Sequence, residues 1–410
     1  RNRHYLKMNE KKGDSPAIKK VTPPPSTLPI HGRVDPKNVS FIGKASYASA
    51  SGEKKFIFGI KREDRKHHVY ILGKSGMGKS KILEIMLRQD IANDFGACLI
   101  EPDGDLVSSL AAFASEKKKE NLVYLNPNET NAPSLNPFIV ARGYETEFVN
   151  GFISIIKNEF GDNWNHYLEN ILRFASLAVI EKPERNLDGL LTFIADTPYR
   201  NEMISSLKDE SAKKFWTETF PEWPTNIAHE STNALINKIH KIFLSPNFKK
   251  IFSSSHNRIN FNDVVQKQKV LVINLMKNHI GRDNANILSG IILLKLREAF
   301  YFNQTKKDFC LYLDEFSGIA PEIIENLISE SRHSNLAITM VNQYLNQLSP
   351  QEQSLILNNI GTLIAFRLSG DDAQKLKTEL SSAIDLKDIT SLNTGQFYIK
   401  MTINGVINDP

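Results

Sequence analysis

The stretch Gly73-Lys74-Ser75-Gly76-Met77-Gly78-Lys79-Ser80 decides how the rest of the chain is read. It fits the pattern G-x-x-x-x-G-K-[ST] in full. Glycines at those places let the main chain curl round an anion with its N–H groups pointing inward. The flanks suit such a loop. Residues 68–73 form an apolar run that reads as a strand. Residues 79–93 read as an amphipathic helix, with Ile82, Ile85, Met86 and Leu87 on its apolar side. A helix start presents its positive end to the same anion. The segment, with Lys81 continuing the first helical turn, is read as a phosphate site. Lys79 brings a point charge to the β- and γ-phosphates, and the Ser80 hydroxyl is placed to join the coordination of Mg²⁺. ATP with Mg²⁺ is the ligand this implies. A chance glycine-rich turn is the alternative, and the strand–loop–helix context counts against it.

Asp308-Phe309-Cys310-Leu311-Tyr312-Leu313-Asp314-Glu315 reads as a buried strand ending in two carboxylates. Beside a phosphate loop, Asp314 would hold the metal shell and Glu315 would orient and deprotonate an attacking water. An acidic pair in a solvated turn is the plain alternative. Gln343 ends the next strand, 336–342. Ligands gather at the carboxyl ends of parallel strands, so this amide is a candidate sensor of the γ-phosphate, or else a surface amide. Arg332 and Arg367 are each able to serve as an arginine finger on a neighbouring subunit's phosphate, or to make a surface salt bridge.

Further strands are expected at 56–60, 97–101, 122–125, 270–275 and 362–366, with an edge strand or hairpin at 396–403. Between about 145 and 250 helical periodicity dominates. The expectation is an α/β protein with a mostly parallel central sheet flanked by helices, plus an inserted all-α domain. The expected layout is a basic, Pro-rich head at 1–38, a nucleotide-binding domain at 39–144 and 251–410, and the insertion at 145–250. Trp164, Trp216 and Trp223 fall in the insertion and read as core or interface residues. His67-His68 shows no zinc spacing and reads as structural.

The 410 residues are 41% hydrophobic, enough for a sizeable core. Cys98 and Cys310 sit in apolar runs and read as buried thiols, not a disulfide framework. The net charge of +5 is uneven: residues 1–70 carry +10 and the remainder −5. The head suits an anionic partner, either nucleic acid or a membrane face, or is a solvated tail. The longest apolar stretch, 287–302, is broken by Lys295, Arg297 and Glu298. The chain begins at Arg1, so a fragment or processed product is expected, and a membrane anchor upstream is compatible with it.

Taken together, these motifs resemble the conjugative coupling ATPases of type IV secretion, within the RecA-like DNA pumps of the HerA–FtsK superfamily. The resemblance runs from Val39 to Asp409. It rests on the phosphate loop, Glu101-Pro102-Asp103-Gly104-Asp105, Ser134-Leu135-Asn136-Pro137-Phe138 and Leu311-Tyr312-Leu313-Asp314-Glu315-Phe316. It rests also on Ile328-Ser329-Glu330-Ser331-Arg332, Asn342-Gln343-Tyr344 and the run from Gly361 to Arg367. It implies a RecA-like P-loop NTPase fold and a homo-hexamer that moves DNA through a channel by hydrolysing ATP, contacting the DNA backbone rather than its sequence. It also implies secretion-channel or relaxosome partners, and a cytoplasmic location at the inner-membrane face through an upstream anchor. It favours Arg332 over Arg367 as the trans-acting finger. Two departures stand out. The turn at Glu101 usually begins with Asp and often carries His or Lys, so Glu101 and Asp103 receive no role. The arginine segment usually reads Arg-Lys, where this chain has Arg332-His333. A secretion-channel assembly ATPase acting on protein would carry the same motifs. A nucleotide-binding adaptor without turnover would not need both Asp314 and Glu315.

Overall fold

The computed structural model describes residues 24–49, 52–118, 121–183, 185–242, 246–254, 256–303, 307–381 and 384–408. Residues 1–23, which hold most of the expected basic head, lie outside them. Order begins earlier than the expected Val39. The bridge Ile30–Phe58 and the bonds from His31 N–H to the Ile57 carbonyl (2.9 Å) and from Gly59 N–H to the Pro29 carbonyl (3.1 Å) pin this lead-in segment to the chain that follows.

The first two strands, β1 (Val39–Ser49) and β2 (Gly52–Lys61), form an antiparallel hairpin of their own. Nine more strands form one sheet: β3 (Val69–Leu72), β4 (Gly96–Glu101), β5 (Leu122–Leu125), β6 (Val270–Asn274), β7 (Phe309–Asp314), β8 (Leu336–Asn342), β9 (Thr362–Ala365), β10 (Tyr398–Ile403) and β11 (Val406–Asn408). Their spatial order is β11-β10-β9-β3-β8-β7-β4-β6-β5. All pairs from β9 to β5 are parallel, while β10 and β11 close one edge antiparallel. The closing hairpin turns through Asn404-Gly405, both at positive φ, as a two-residue turn requires.

Side chains alternate across β3. Val69 and Ile71 join the core under the helix Lys79–Ala92, and Tyr70 and Leu72 join the core on the other face. Both faces are buried, which is why the parallel strands read as continuous apolar runs. Cys98 on β4 and Cys310 on β7 fall on opposite faces and stay free thiols.

Between β5 and β6 the described residues contain no strand. The principal helices are Glu145–Phe160, His166–Ile180, Leu187–Ala195, Thr197–Ile204, Thr225–Ile242 and Pro246–Phe252. Several start at side-chain caps legible in the sequence. Asn165 accepts from the N–H groups of Tyr167 and Leu168, Asn186 from Gly189, and Asp196 from Tyr199. Entry and exit are laced together. Leu135 N–H donates to the Ile251 carbonyl (2.7 Å), Arg258 N–H to the Ser134 carbonyl (3.1 Å), and Ser134 Oγ to the His256 carbonyl (2.8 Å). Asn136, fully buried, donates to the Arg185 carbonyl (2.6 Å). The Ser134–Phe138 motif is thus a staple at the root of the helical stretch. That stretch shares one continuous apolar core with a face of the sheet. Trp216 is buried there, and Trp164 and Trp223 pack against the same core.

A buried ionic cluster locks the phosphate-loop helix to the sheet. Asp90, near the helix end, accepts from Arg62 Nη1 (2.7 Å) and from Arg65 Nη1 and Nη2 (2.8 and 3.1 Å). It also takes the hydroxyl of Tyr312 on β7. Arg65 reaches Ser40 Oγ on β1 (2.7 Å) and Tyr312 Oη (2.7 Å). Burial opposes the charge on Asp90, but Arg65 and Arg62, with the Tyr312 hydroxyl, hold its pKa down at about 2. The stability this carboxylate contributes is present above the usual carboxylate range and is lost as pH falls through about 2. Removing one partner of such a cluster strands buried charge. Asp90→Ala is expected to cost about 3–5 kcal/mol at neutral pH, read as a lower urea midpoint, with Tyr312→Phe costing less.

Candidate nucleotide-binding site

The phosphate loop leaves β3 at Gly73 and enters the helix Lys79–Ala92 through Gly78. Gly76 has φ 74° and Gly78 φ 117°, values that L side chains rarely adopt. A side chain on Gly73 would meet Phe366 Cβ at 2.5 Å. Two neighbours fix the loop: Lys74 N–H donates to the Arg367 carbonyl (3.0 Å), and Gly395 N–H to the Met77 carbonyl (2.8 Å). Met77 is buried beneath, whereas Ser75, Gly76, Ser80 and Lys81 are exposed. Lys81 pairs with Glu84 (2.9 Å), pointing its charge along the helix.

Lys79 is buried, and its ammonium donates to the carbonyls of Gly73 (2.5 Å) and Lys74 (3.0 Å). Burial lowers its pKa, while the carboxylates of Glu315 and Asp314 work in the opposite direction. A charged donor resting on two loop carbonyls occupies the place where phosphate oxygens would take those hydrogen bonds.

Asp314 ends β7 and Glu315 follows it. Register puts Leu72 of β3 beside Asn342 of β8, and Val341 of β8 beside Asp314. Loop, Gln343 and acidic pair therefore leave the sheet at one level, at its carboxyl edge. Glu315 adopts φ 53° and ψ 52°, a left-handed conformation that costs a non-glycine residue about 1–2 kcal/mol. Its N–H donates to the Val341 carbonyl (3.0 Å). Its Oε2 accepts from Gln347 Nε2 (2.9 Å).

The charge balance at this edge is negative. Burial pushes the Asp314 carboxyl up from 3.8 to about 7; Glu315, Glu101 and Asp103 add to this, and Lys79 offsets part of it. The described residues contain no cluster of three or more His, Cys, Asp or Glu able to hold a metal by themselves. Mg²⁺ needs none, since it is usually held by one or two protein oxygens with water and phosphate completing its shell. A buried carboxylate surplus beside a hydroxyl-bearing loop is a donor set that fits it.

The other candidates are placed differently. Arg367 follows β9 with its main chain against the loop, partly buried, and has no ion-pair partner among the described residues. Arg332 lies in the last turn of the helix Pro321–Ser334, which runs back to the amino end of β8; its side chain is outside the described residues. Its neighbour Ser331 meets His68 Nε2 at 2.9 Å, and Ile338 N–H donates to His68 Nδ1 (3.2 Å). His68 is thus a buried brace at the amino end of β3, and Arg332 is carried away from its own chain's phosphate loop. Two residues bearing on the site were not singled out in the sequence. Glu101 caps the helix Asp105–Lys118 by accepting from Leu106 and Val107 N–H (3.1 and 2.9 Å), and it contributes to the charge felt by Asp314. Gln347 touches Glu315 across a sequence gap that no local pattern reveals.

Fold and site together define a RecA-like P-loop α/β protein with a mostly parallel sheet. No protein-family model and no curated protein matches the sequence. Among solved structures the chain is similar to the plasmid coupling protein TrwB in complex with a non-hydrolysable ATP analogue, at 13% identity over 96% of this chain and 94% of that one, TM-score 0.67. It is similar also to TrwB in complex with ADP and Mg²⁺, at 14% identity over 89% and 88%, TM-score 0.66. VirB4 of Thermoanaerobacter pseudethanolicus aligns at 12% identity over 83% and 87%, TM-score 0.59. At these identities the likeness concerns the fold.

The raised pKa of Asp314 has a testable sign. Between about 4 and 7 the folded state keeps a proton that the unfolded chain has released, so this group lowers stability as pH rises through that window. In the nucleotide-free protein, Asp314→Asn is expected to raise Tm by about 2–4 °C at pH 8, with the gain shrinking toward pH 4. A gain that is constant with pH would contradict the assignment.

Proposed function

We propose that this chain is the motor subunit of a conjugation-type secretion system, hydrolysing ATP to move DNA. The observation that carries the reading is the meeting, at one edge of the sheet, of a phosphate loop holding Lys79 and an acidic pair whose Asp314 senses both Lys79 and Glu315. The likeness to TrwB structures containing nucleotide supports ATP as ligand and the secretion setting.

In this reading Gly73–Ser80 wraps the phosphates and Lys79 exchanges its loop carbonyls for phosphate oxygens. Ser80 and Asp314 would hold Mg²⁺, which neutralises phosphate charge when bound. Glu315 orients the attacking water and takes its proton. Gln343 reports the γ-phosphate. Arg332 acts on the neighbouring subunit's nucleotide in a homo-hexamer; its distance from its own loop leaves it only a trans role. Arg367, set against its own loop, suits a contact within the chain. Residues 145–250 form an all-α insertion into a nucleotide-binding domain made of 39–144 and 251–410, and the laced entry and exit support that division. The DNA is held by its backbone, with secretion-channel or relaxosome proteins as partners. No helix among the described residues is long and apolar enough to cross a membrane. A position at the cytoplasmic face of the inner membrane would rest on a segment upstream.

Glu315→Gln is expected to keep ATP binding, followed by a fluorescent nucleotide, and to lose turnover by about 100-fold or more. Wild-type turnover per subunit is expected to rise cooperatively with protein concentration and to be stimulated by DNA. Full hydrolysis in Glu315→Gln contradicts the catalytic assignment. Turnover indifferent to single- and double-stranded DNA contradicts the DNA motor and turns the reading toward an ATPase of the same fold acting on protein.

A further inference from the structure

The segment leaving β8 folds into a short turn, Leu345–Gln347, whose last residue carries two kinds of hydrogen bond. Gln347 Oε1 accepts from the N–H groups of Gln343 (2.9 Å) and Tyr344 (3.0 Å). That half is an ordinary cap: an amide oxygen satisfies main-chain donors at the start of a turn. The other half serves no cap. Gln347 Nε2 donates to Glu315 Oε2 at 2.9 Å, bridging from the exit of β8 to the exit of β7.

Glu315 is thereby held by β8 at two points, its peptide by the Val341 carbonyl and its carboxylate by Gln347. Its backbone sits in a left-handed well that a glutamate does not choose freely. The other carboxylate oxygen, Oε1, accepts no hydrogen bond from the described residues, so the tether leaves one oxygen for a water. The same carboxamide grips the peptide of Gln343, so base and sensor hang on one side chain.

We infer that Gln347 is a positioning residue for ATP hydrolysis, fixing the Glu315 carboxylate in register with the Gln343 end of β8. This rests on the reading of Glu315 as the base. Gln347 touches no phosphate in this scheme; it acts through Glu315. Misplacing a general base by about 1 Å is enough to cost on the order of 100-fold in rate.

Two substitutions separate the halves. Gln347→Met keeps length and removes every hydrogen bond. Gln347→Glu keeps an acceptor for the N–H groups of Gln343 and Tyr344, removes the donor to Glu315, and sets two carboxylates against each other. Both are measured with Glu315→Gln alongside, in the full chain under conditions where the wild type turns over. The expected result is a fall in kcat of about 10- to 100-fold in both variants, with the Kd for a fluorescent ATP analogue changed by less than about 2-fold. The melting temperature of Gln347→Glu is expected to stay near that of the wild type. In a Glu315→Gln background neither substitution is expected to lower the residual rate further. Normal turnover in Gln347→Glu, with Glu315→Gln inactive, overturns this inference and leaves Gln347 as a cap alone. Weakened nucleotide binding equal to the loss in kcat overturns it in favour of a structural role. Normal turnover in Glu315→Gln overturns the reading of the base, and this inference with it.

Discussion

The parallel pairing of β8 between β3 and β7 is the constraint on which the site depends. β3 delivers the phosphate loop and β7 the acidic pair, and neither touches the other directly. The register of β8 brings their ends level, with Leu72 beside Asn342 and Asp314 beside Val341. A slip of one residue in either ladder would move one strand end by about 3.3 Å and turn its side chains to the opposite face. The spacing between the lysine and the carboxylates is therefore a property of the sheet rather than of the loops.

The two ends of the phosphate-loop helix are built on opposite electrostatic plans. Near its carboxyl end, Asp90 is matched by two arginines and a tyrosine in a fully buried cluster, which fastens the helix to β7 and to the β1–β2 hairpin. Its amino end faces carboxylates in excess, with Lys79 folded onto its own loop. The satisfied end supplies rigidity. The unsatisfied end keeps charge in a position that only a ligand with the opposite pattern, anionic phosphate with its cation, relieves. A strained Glu315 held by β8 belongs to the same plan, because strain persists only where the surroundings over-determine it.

Much of this was legible in the sequence, for physical reasons. The loop, the buried strand before Asp314 and the alternation of apolar runs with helices are local patterns, and they placed the sheet and the carboxyl-edge residues. The hairpin strand β1 was not read because its apolar alternation breaks at Gly43, where the ladder shifts register. Glu101 looked like a motif departure; its capping bonds depend on a helix start whose position the turn residues alone do not fix. The Gln347–Glu315 contact joins residues 32 apart through a turn off the sheet, and no periodicity encodes it. Arg332 was legible as a residue type at a familiar spacing. Its position at the far end of its helix, away from its own loop, needed the fold.

The central claim is a hydrolytic site divided between neighbouring subunits, and mixing tests it most directly. Lys79→Ala removes the loop's charge and leaves Arg332; Arg332→Ala does the reverse. Each variant alone is expected to be inactive. Assemblies formed from equal parts of the two are expected to recover turnover at about a quarter of their interfaces, where an intact loop meets an intact arginine. Full activity of Arg332→Ala alone, or no recovery in mixtures shown to co-assemble, would contradict the account.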